Sequence, residues 1–163
     1  SYVLHGPYAR RGLSDADWEV WAAIESFYDS GKTKMIGISN VSAEQLSLLC
    51  AKARHKPMVV QNRCYAAFGW DKDVRELCRT HKLIYQGFSL LTANREVFTE
   101  PAIRSMAAKY QTGLAQIVFR FSQQVGMLPL TGTTNRQHMT DDLQCERFTL
   151  APDELALIET IGQ

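Results

Sequence analysis

The sequence predicts an α/β fold of about five parallel βα units with a C-terminal helix, and two patterns support this. Short apolar runs alternate with longer stretches of helical periodicity, which is typical of parallel sheets whose strands are joined by helices. No low-complexity linker interrupts the alternation, so residues 1–163 are expected to form a single domain. The apolar runs predicted as strands are Tyr2–Leu4, Met35–Ile38, Met58–Val60, Leu83–Tyr85 as the start of the fourth strand, and Met127–Leu130.

Caps and helix breakers delimit the helical stretches. Gly31 ends the first helix, which begins near Asp15, and Ser42 with Gln45 predicts a capping box at the start of the second. The later helices are predicted over 71–80, from Pro101 to Tyr110, from Leu114 to a stop at Gly126, over 137–143 and over 153–161.

Five βα units amount to a little over half of a (β/α)8 TIM barrel, which needs eight units and typically about 250 residues. An open sheet of five parallel strands is the structural alternative. A doubly wound sheet that binds a dinucleotide would ordinarily carry a glycine-rich turn after its first strand, and the segment after Leu4 has none. The sequence therefore favours a partial (β/α)8 barrel.

Composition and charge narrow the class of partner. Lys and Arg number 18 against 17 Asp and Glu, so the net charge of +1 gives no electrostatic reason to expect binding to nucleic acid or to an anionic membrane. No apolar run approaches the roughly 20 residues of a membrane span. The four cysteines lie far apart without CxxC spacing, which predicts reduced thiols and no metal site. We therefore expect a soluble, cytoplasmic protein with a small neutral ligand or a protein partner.

Polar residues follow all five predicted strands. In (β/α) barrels the reactive groups gather where strands end and βα loops begin, so these positions predict a functional rim. They are His5, Ser39-Asn40, Gln61-Asn62, Ser89 and the run Thr131-Gly132-Thr133-Thr134.

Five motifs in order give the sequence a resemblance to the aldo-keto reductase family over essentially the whole chain. They are His5-Gly6-Pro7, Gly31-Lys32 before Ile36-Gly37-Ile38-Ser39-Asn40, Gln61 after Val59-Val60, Phe88-Ser89-Leu90-Leu91, and Gly132-Thr133-Thr134-Asn135. The family fold is the (β/α) barrel, and its usual reaction is NADP(H)-dependent reduction of an aldehyde or ketone. The resemblance places this chain at the fourth to eighth βα units, the C-terminal half of the barrel.

The resemblance also implies roles for individual residues near the reacting atoms. His5 would be the active-site histidine, which orients the substrate carbonyl and assists protonation. Ser39, Asn40 and Gln61 would hold the nicotinamide carboxamide, which needs paired donors and acceptors. Phe88 would stack its ring on the nicotinamide, a position where the family more often has tyrosine.

Other residues would serve the phosphate and adenosine end of the cofactor. Ser89 and Leu91 would line the path of the pyrophosphate. The adenosine phosphate would approach Gly132, Thr133 and Thr134, because backbone N–H groups and hydroxyls at a helix start suit an anion. His138 and Asp142 fall where the family commonly has Arg and Asn facing the adenine end.

The chain departs from the family pattern in two ways. Of the family's catalytic Asp, Tyr, Lys and His, only the His has a counterpart, so this polypeptide alone should turn over little substrate. Many reductases carry Lys where Gly132 stands and Arg where His138 stands, and both pair with the 2′-phosphate. The resemblance implies NADP(H) as the cofactor. The absence of Lys and Arg at these two positions leaves NAD(H) open as an alternative.

Three functions remain from the sequence. The first is a carbonyl reductase half that acts when the missing strands complete it; the second is a non-catalytic interaction or regulatory module; the third is a nucleotide sensor that binds without turnover. Exposed edges at the first and last strands predict a covering partner. It would be a second copy, a separate chain or a missing N-terminal half, and the start at a strand favours a fragment of a longer protein.

Overall fold

The computed structural model describes residues 1–162, in which five strands form one sheet in the order β1-β2-β3-β4-β5. β1 pairs in parallel with β2, and β2 with β3. The strands are β1 (Tyr2–Leu4), β2 (Ile36–Ser39), β3 (Val59–Arg63), β4 (Ile84–Phe88) and β5 (Met127–Pro129). Within residues 1–162 the strand order never reverses, and a reversal is what defines a doubly wound sheet. The doubly wound alternative is therefore excluded.

Seven α-helices of the described chain follow the strands. They are α1 (Asp15–Asp29), α2 (Ala43–Lys52), α3 (Lys72–His81), α4 (Pro101–Lys109), α5 (Leu114–Gln124), α6 (Arg136–Leu143) and α7 (Pro152–Thr160). The predicted capping box is confirmed, because the Gln45 N–H donates to Ser42 Oγ at 3.2 Å and the Ser42 N–H donates to Gln45 Oε1 at 3.1 Å. Gly31 ends α1 with a φ of 71°, and its N–H donates to the Tyr28 carbonyl at 3.0 Å.

The chain forms two compact units, of which the first comprises Ser1–Asn62 and Lys72–Gln86. All four residues of β2 are buried there. A Cβ at Gly37 would lie only 2.5 Å from the Val59 carbonyl oxygen, which is far inside van der Waals contact. The close approach of β2 to β3 therefore requires glycine at position 37.

The second unit comprises residues 63–71 and 87–162. Its core holds the fully buried rings of Trp70, Phe119 and Phe121. The Trp70 ring centroid lies 5.1 Å from that of Phe121, and the Trp70 Nε1–H donates to the Ile158 carbonyl at 2.9 Å. Trp70 has a φ of 55°, which a bulky side chain adopts only when such packing holds it.

Three 3₁₀ segments were not predicted from the sequence. They are Ala66–Asp71, Arg95–Thr99 and Cys145–Arg147. The first of them makes α3 begin at Lys72 rather than at Asp71, because Gly69, Trp70 and Asp71 all have positive φ. Segments this short show no apolar periodicity, so sequence patterns do not reveal them.

Among the helices of residues 1–162, none combines the length and the apolar character needed to cross a lipid bilayer.

Candidate functional site

In the first unit, the ends of β2 and β3 are joined by hydrogen bonds of their polar residues. The Ser39 hydroxyl and the Asn40 backbone N–H both donate to the Gln61 carbonyl oxygen, the latter at 3.1 Å. Ser39 is 4% exposed, whereas Asn40 lies just beyond the strand and is exposed. Asn40 has a φ of 50°, in the left-handed region that asparagine tolerates better than most residues. The strand thus ends in a sharp turn with an accessible amide.

The Asn40 side chain has its donors committed to the protein. Its Nδ2 donates to the His5 carbonyl at 2.8 Å and to Ser39 Oγ at 3.2 Å. An amide nitrogen has two hydrogens, so the Oδ1 oxygen is the group left for a ligand. His5 is exposed at the end of β1 and is tied to β2 through its backbone, which leaves its imidazole accessible.

A second amide pair extends this array. Gln61 Nε2 donates to Gln86 Oε1 at 3.0 Å, and both side chains are half-buried. The bond leaves Gln61 Oε1, the second Gln61 hydrogen and the Gln86 hydrogens for a ligand. Sequence reasoning missed Gln86, although it is the third residue of β4 just as Gln61 is the third residue of β3. A glutamine between Tyr85 and Gly87 in an otherwise apolar strand was the available signal.

The loop that follows His5 is anchored by two polar side chains. The Asp17 carboxylate accepts the Tyr8 backbone N–H at 2.7 Å, and Gln45 Nε2 donates to the Ala9 carbonyl at 2.8 Å. Burial opposes ionisation of Asp17, but its hydrogen bonds outweigh that effect and lower its pKa. These anchors hold the β1–α1 loop in place.

In the second unit, a cavity of about 350 Å³ adjoins the end of β4. Ser89, Leu91 and Gly132 are among the predicted residues that line it. Ser89 has a φ of 57°, so this strand also ends on a left-handed residue. The Phe88 ring lies 5.6 Å from the Arg63 guanidinium carbon, within the range of a cation–π contact.

A cavity of about 240 Å³ adjoins the first, since Leu91 and Gly132 line both. The predicted residues that line it are Leu91, Gly132, Thr133, His138 and Asp142. Thr134 lines neither cavity. Most of the predicted adenosine-end residues are therefore brought together.

The charged groups of the 240 Å³ cavity are acidic. Asp141 and Asp142 both line it, and no lysine or arginine does. Burial raises the pKa of Asp142, against the opposing effects of the His138 charge and a hydrogen bond from the Thr131 side chain. Of the charged lining residues, only His138 can be cationic.

The backbone N–H groups at the start of α6 are already engaged. Asn135 Oδ1 accepts from the N–H groups of Gln137 at 2.8 Å and His138 at 3.4 Å. Thr133 Oγ1 accepts from the Asn135 N–H at 3.1 Å. The N–H groups of Asn135, Gln137 and His138 at this helix start are thus capped by the chain's own side chains.

Thr131 also lines the 240 Å³ cavity, as its place in the polar run after the fifth strand predicts. Sequence reasoning missed Gly113, Ala115, Gln116 and Asp141. Gln116 and Asp141 come from helices, and Gln116 Nε2 donates to the Asp141 carbonyl at 2.8 Å. Nothing in the helical periodicity distinguished these two from ordinary surface residues.

Within residues 1–162, no group of three or more His, Cys, Asp and Glu side chains is arranged to hold a metal ion.

Comparison with known sequences relates the chain to reductases. The sequence profile described as the aldo/keto reductase family matches residues 2–163. Aldo-keto reductase family 1 member D1 of Oryctolagus cuniculus is 29% identical over 155 residues, which cover 88% of this chain and 47% of the relative. The NADPH-dependent alpha-keto amide reductase of Saccharomyces cerevisiae is 28% identical over 172 residues, which cover 99% of this chain and 54% of the relative. The chain thus spans about half the length of these relatives.

Solved structures share the fold. MGS-M4, an aldo-keto reductase enzyme from a Medee basin deep-sea metagenome library, superposes with a TM-score of 0.87 at 19% identity over 99% of this chain and 59% of that chain. An aldo/keto reductase from Brucella melitensis superposes with a TM-score of 0.85 at 22% identity, with the same coverage of 99% and 59%. The predicted partial (β/α)8 barrel is therefore confirmed as the fold class. With the family profile matched over residues 2–163, the chain belongs to the aldo/keto reductase family.

Proposed function

We propose that this chain is the cofactor-binding part of an NAD(P)(H)-dependent oxidoreductase that reduces aldehydes or ketones. The observation that carries the proposal is the set of three side-chain amides in the first unit, Asn40 directly after β2, Gln61 within β3 and Gln86 within β4. Its free oxygens and hydrogens are the partners that a primary carboxamide requires. The name of the yeast relative, an NADPH-dependent alpha-keto amide reductase, supports the same chemistry.

The nicotinamide carboxamide would bind to Asn40 and Gln61, with Gln86 as an additional partner. The carboxamide nitrogen would donate to Asn40 Oδ1 or Gln61 Oε1, and its oxygen would accept from a Gln61 or Gln86 hydrogen. Ser39 would act by fixing the end of β2, because its hydroxyl is buried and bonded to the backbone. The rest of the cofactor would contact Phe88, Ser89, Leu91, Gly132, Thr133, Thr134, His138 and Asp142.

When bound, a nicotinamide cofactor supplies the hydride for carbonyl reduction. The role proposed for His5 is to donate a hydrogen bond to the carbonyl oxygen of a small aldehyde or ketone and to orient it. No residue of this chain matches the family's catalytic Asp, Tyr or Lys motifs, and a positioned general acid contributes about 10²–10⁴ in rate. We therefore expect little turnover from these 163 residues alone.

The partner proposed for full activity is the N-terminal half of the barrel, or a second copy of this chain. The four cysteines are buried thiols, which supports a reducing, cytoplasmic setting.

The test is titration of the full chain with NADH and NADPH, followed by intrinsic fluorescence and by the shift in melting temperature. We expect saturable binding that is weakened about tenfold or more in Gln61→Ala and Asn40→Gly, since each loses a carboxamide partner. Glycine suits position 40 better than alanine because the φ of 50° would strain an alanine.

Gln123→Ala is the matched control, because this amide on α5 lines neither cavity. It should bind both cofactors as the unmodified chain does. A folded chain that binds neither NADH nor NADPH would contradict the proposal and favour a non-catalytic interaction module. Binding without any turnover after addition of the missing half would favour a nucleotide sensor.

A further inference from the structure

We infer that the 240 Å³ cavity of the second unit selects NAD(H) over NADP(H), with Asp142 and Asp141 as the residues that set the preference. The inference rests on the proposed function, since it concerns the adenosine end of the same cofactor. It differs from the NADP(H) preference that the resemblance implies.

The residues that line the cavity carry more negative than positive charge. NADP(H) differs from NAD(H) by a 2′-phosphate that is largely dianionic at neutral pH. Asp141 and Asp142 are both lining residues, and no lysine or arginine lines the cavity to compensate. The Asp141 carboxylate also accepts from Gln137 Nε2 at 2.8 Å, a bond that leaves its charge in place. A phosphate placed beside Asp141 and Asp142 would meet like charges at short range, where protein surroundings screen them less than water does.

The backbone at the start of α6 also offers little to a phosphate. A helix N-terminus can bind phosphate through its free N–H groups, but those of Gln137 and His138 are directed at Asn135 Oδ1 at 2.8 and 3.4 Å. The Asn135 N–H is directed at Thr133 Oγ1 at 3.1 Å. A 2′-phosphate would have to displace these internal caps before it gained a bond from the N–H groups of Asn135, Gln137 or His138.

The same cavity suits the ribose 2′-hydroxyl that NAD(H) carries in place of the phosphate. A ribose hydroxyl is a donor, and a carboxylate is its natural acceptor, which is how an acidic residue recognises the 2′-hydroxyl in NAD-binding folds generally. Asp142 is one of the residues that line the cavity, so a ribose hydroxyl bound there would have a carboxylate acceptor. The Asp142 carboxylate would therefore repel a 2′-phosphate and accept a hydrogen bond from a 2′-hydroxyl.

His138 is the one lining group that could favour a phosphate. Its Nδ1 lies 3.5 Å from Thr133 Oγ1, and its charge acts on Asp142. Any positive charge on the imidazole is thus opposed by a carboxylate of the same cavity before a ligand arrives. One imidazole against two carboxylates leaves the lining acidic on balance.

The experiment measures dissociation constants of the full chain for NADH, NADPH, 5′-AMP and adenosine 2′,5′-bisphosphate by calorimetry. The two mononucleotides probe the adenosine end without the nicotinamide. We expect NADH and 5′-AMP each to bind at least about tenfold more tightly than its 2′-phosphorylated counterpart. In Asp142→Asn, which keeps the side-chain shape, both ratios should fall severalfold, and in the Asp141→Asn, Asp142→Asn double variant they should approach one.

Asp153→Asn is the matched control, since it removes the same charge from the first turn of α7, outside both cavities. It should leave both ratios unchanged, and melting curves establish that each variant is folded. NADPH or the bisphosphate binding more tightly than its partner would overturn the inference and leave the proposed function standing. Equal effects of Asp153→Asn and Asp142→Asn would also overturn it, because the preference would then reflect overall charge.

If 5′-AMP binds with the expected ratio while neither dinucleotide binds, the proposed function fails and the assignment of this cavity survives. If none of the four ligands binds a folded chain, both the proposed function and the inference fail.

Discussion

The two compact units present their candidate ligand groups in opposite ways. In the first unit the polar groups stand on strand ends, and hydrogen bonds to neighbouring strands hold them, as in the bond from Asn40 to the His5 carbonyl. In the second unit the groups stand on a loop and on α6, a helix without a single buried residue. The first arrangement fixes donors and acceptors before a ligand arrives, whereas the second provides a cavity with a defined charge. Side-chain hydrogen bonds thus restrain the polar groups of the first unit, whereas the cavity of the second unit adjoins a helix with no buried residue.

The largest expected effect is the difference in the free energy of unfolding between alanine substitutions at two glycines, one in each unit. Gly37→Ala should lower the free energy of unfolding by about 3 kcal/mol or more, because its Cβ would lie 2.5 Å from the Val59 carbonyl oxygen in a tightly packed sheet. Urea denaturation followed by circular dichroism measures this change.

Gly132→Ala is the comparison in the second unit. A Cβ at Gly132 has no neighbour within 4 Å, and Gly132 is not among the glycines with positive φ. We expect a change of less than about 0.5 kcal/mol. If both variants lost the same free energy of unfolding, the prediction would be wrong, because β2 and β3 would then move apart at Gly37 without cost.

A smaller and pH-dependent effect is expected for the loop anchor Asp17. Asp17→Asn should cost about 2 kcal/mol at neutral pH, since a buried acceptor of several hydrogen bonds loses its charge. The pKa of Asp17 is lowered by folding, so its contribution is present above the unfolded-state value of 3.8 and is lost as the pH falls through the folded-state value. The stability difference between the two proteins should therefore shrink from about pH 5 downward, as measured by urea denaturation across a pH series.

Asp15→Asn provides the control for Asp17, because it removes the same charge from the same turn of α1 at an exposed position. It should cost at most about 1 kcal/mol through the helix dipole. A pH dependence equal to that of Asp17→Asn would assign the effect to the helix dipole rather than to the loop.

The smallest effect compares the two left-handed strand ends, Asn40 and Ser89. Ser89→Gly should change the free energy of unfolding by less than about 0.5 kcal/mol, since relief at a φ of 57° offsets the entropy that glycine adds to the unfolded chain. Asn40→Gly should cost about 1 kcal/mol, because the amide bond to His5 is lost as well. Thermal unfolding of both variants tests this order, and a larger loss for Ser89→Gly would reverse it.

Much of the fold could be predicted because its signals are local. The capping pair Ser42 and Gln45 and the stop at Gly31 placed helix ends that the structure confirms. The turn at Trp70 could not be predicted, because its φ is imposed by packing against Phe121 and by a bond to Ile158, 88 residues away. The single-domain reading and the roles of the site residues stay predictions.

The candidate site could be predicted only where position along a strand reveals it. Asn40 and Gln61 were found because they follow apolar runs. Gln86 was missed although it occupies the third position of β4, as Gln61 does in β3. Asp141 was missed because a helix with no buried residue has no apolar periodicity against which a cavity-lining residue stands out. Asp141 and Asp142 are adjacent in the sequence, but the position of Gln116 beside them is a property of the fold that the sequence does not show.

The absence of buried side chains from α6 has a consequence for how ligand binding can be detected. Leu143 at its end is 85% exposed, so little apolar contact holds the helix in place. Segments of this kind open by local unfolding at a small fraction of the global free energy, and their amide hydrogens exchange early with solvent. Occupation of the neighbouring cavity would slow that exchange in α6 before it affected β2. Early exchange of the α6 amides would therefore be a sensitive readout of whether a ligand occupies this cavity.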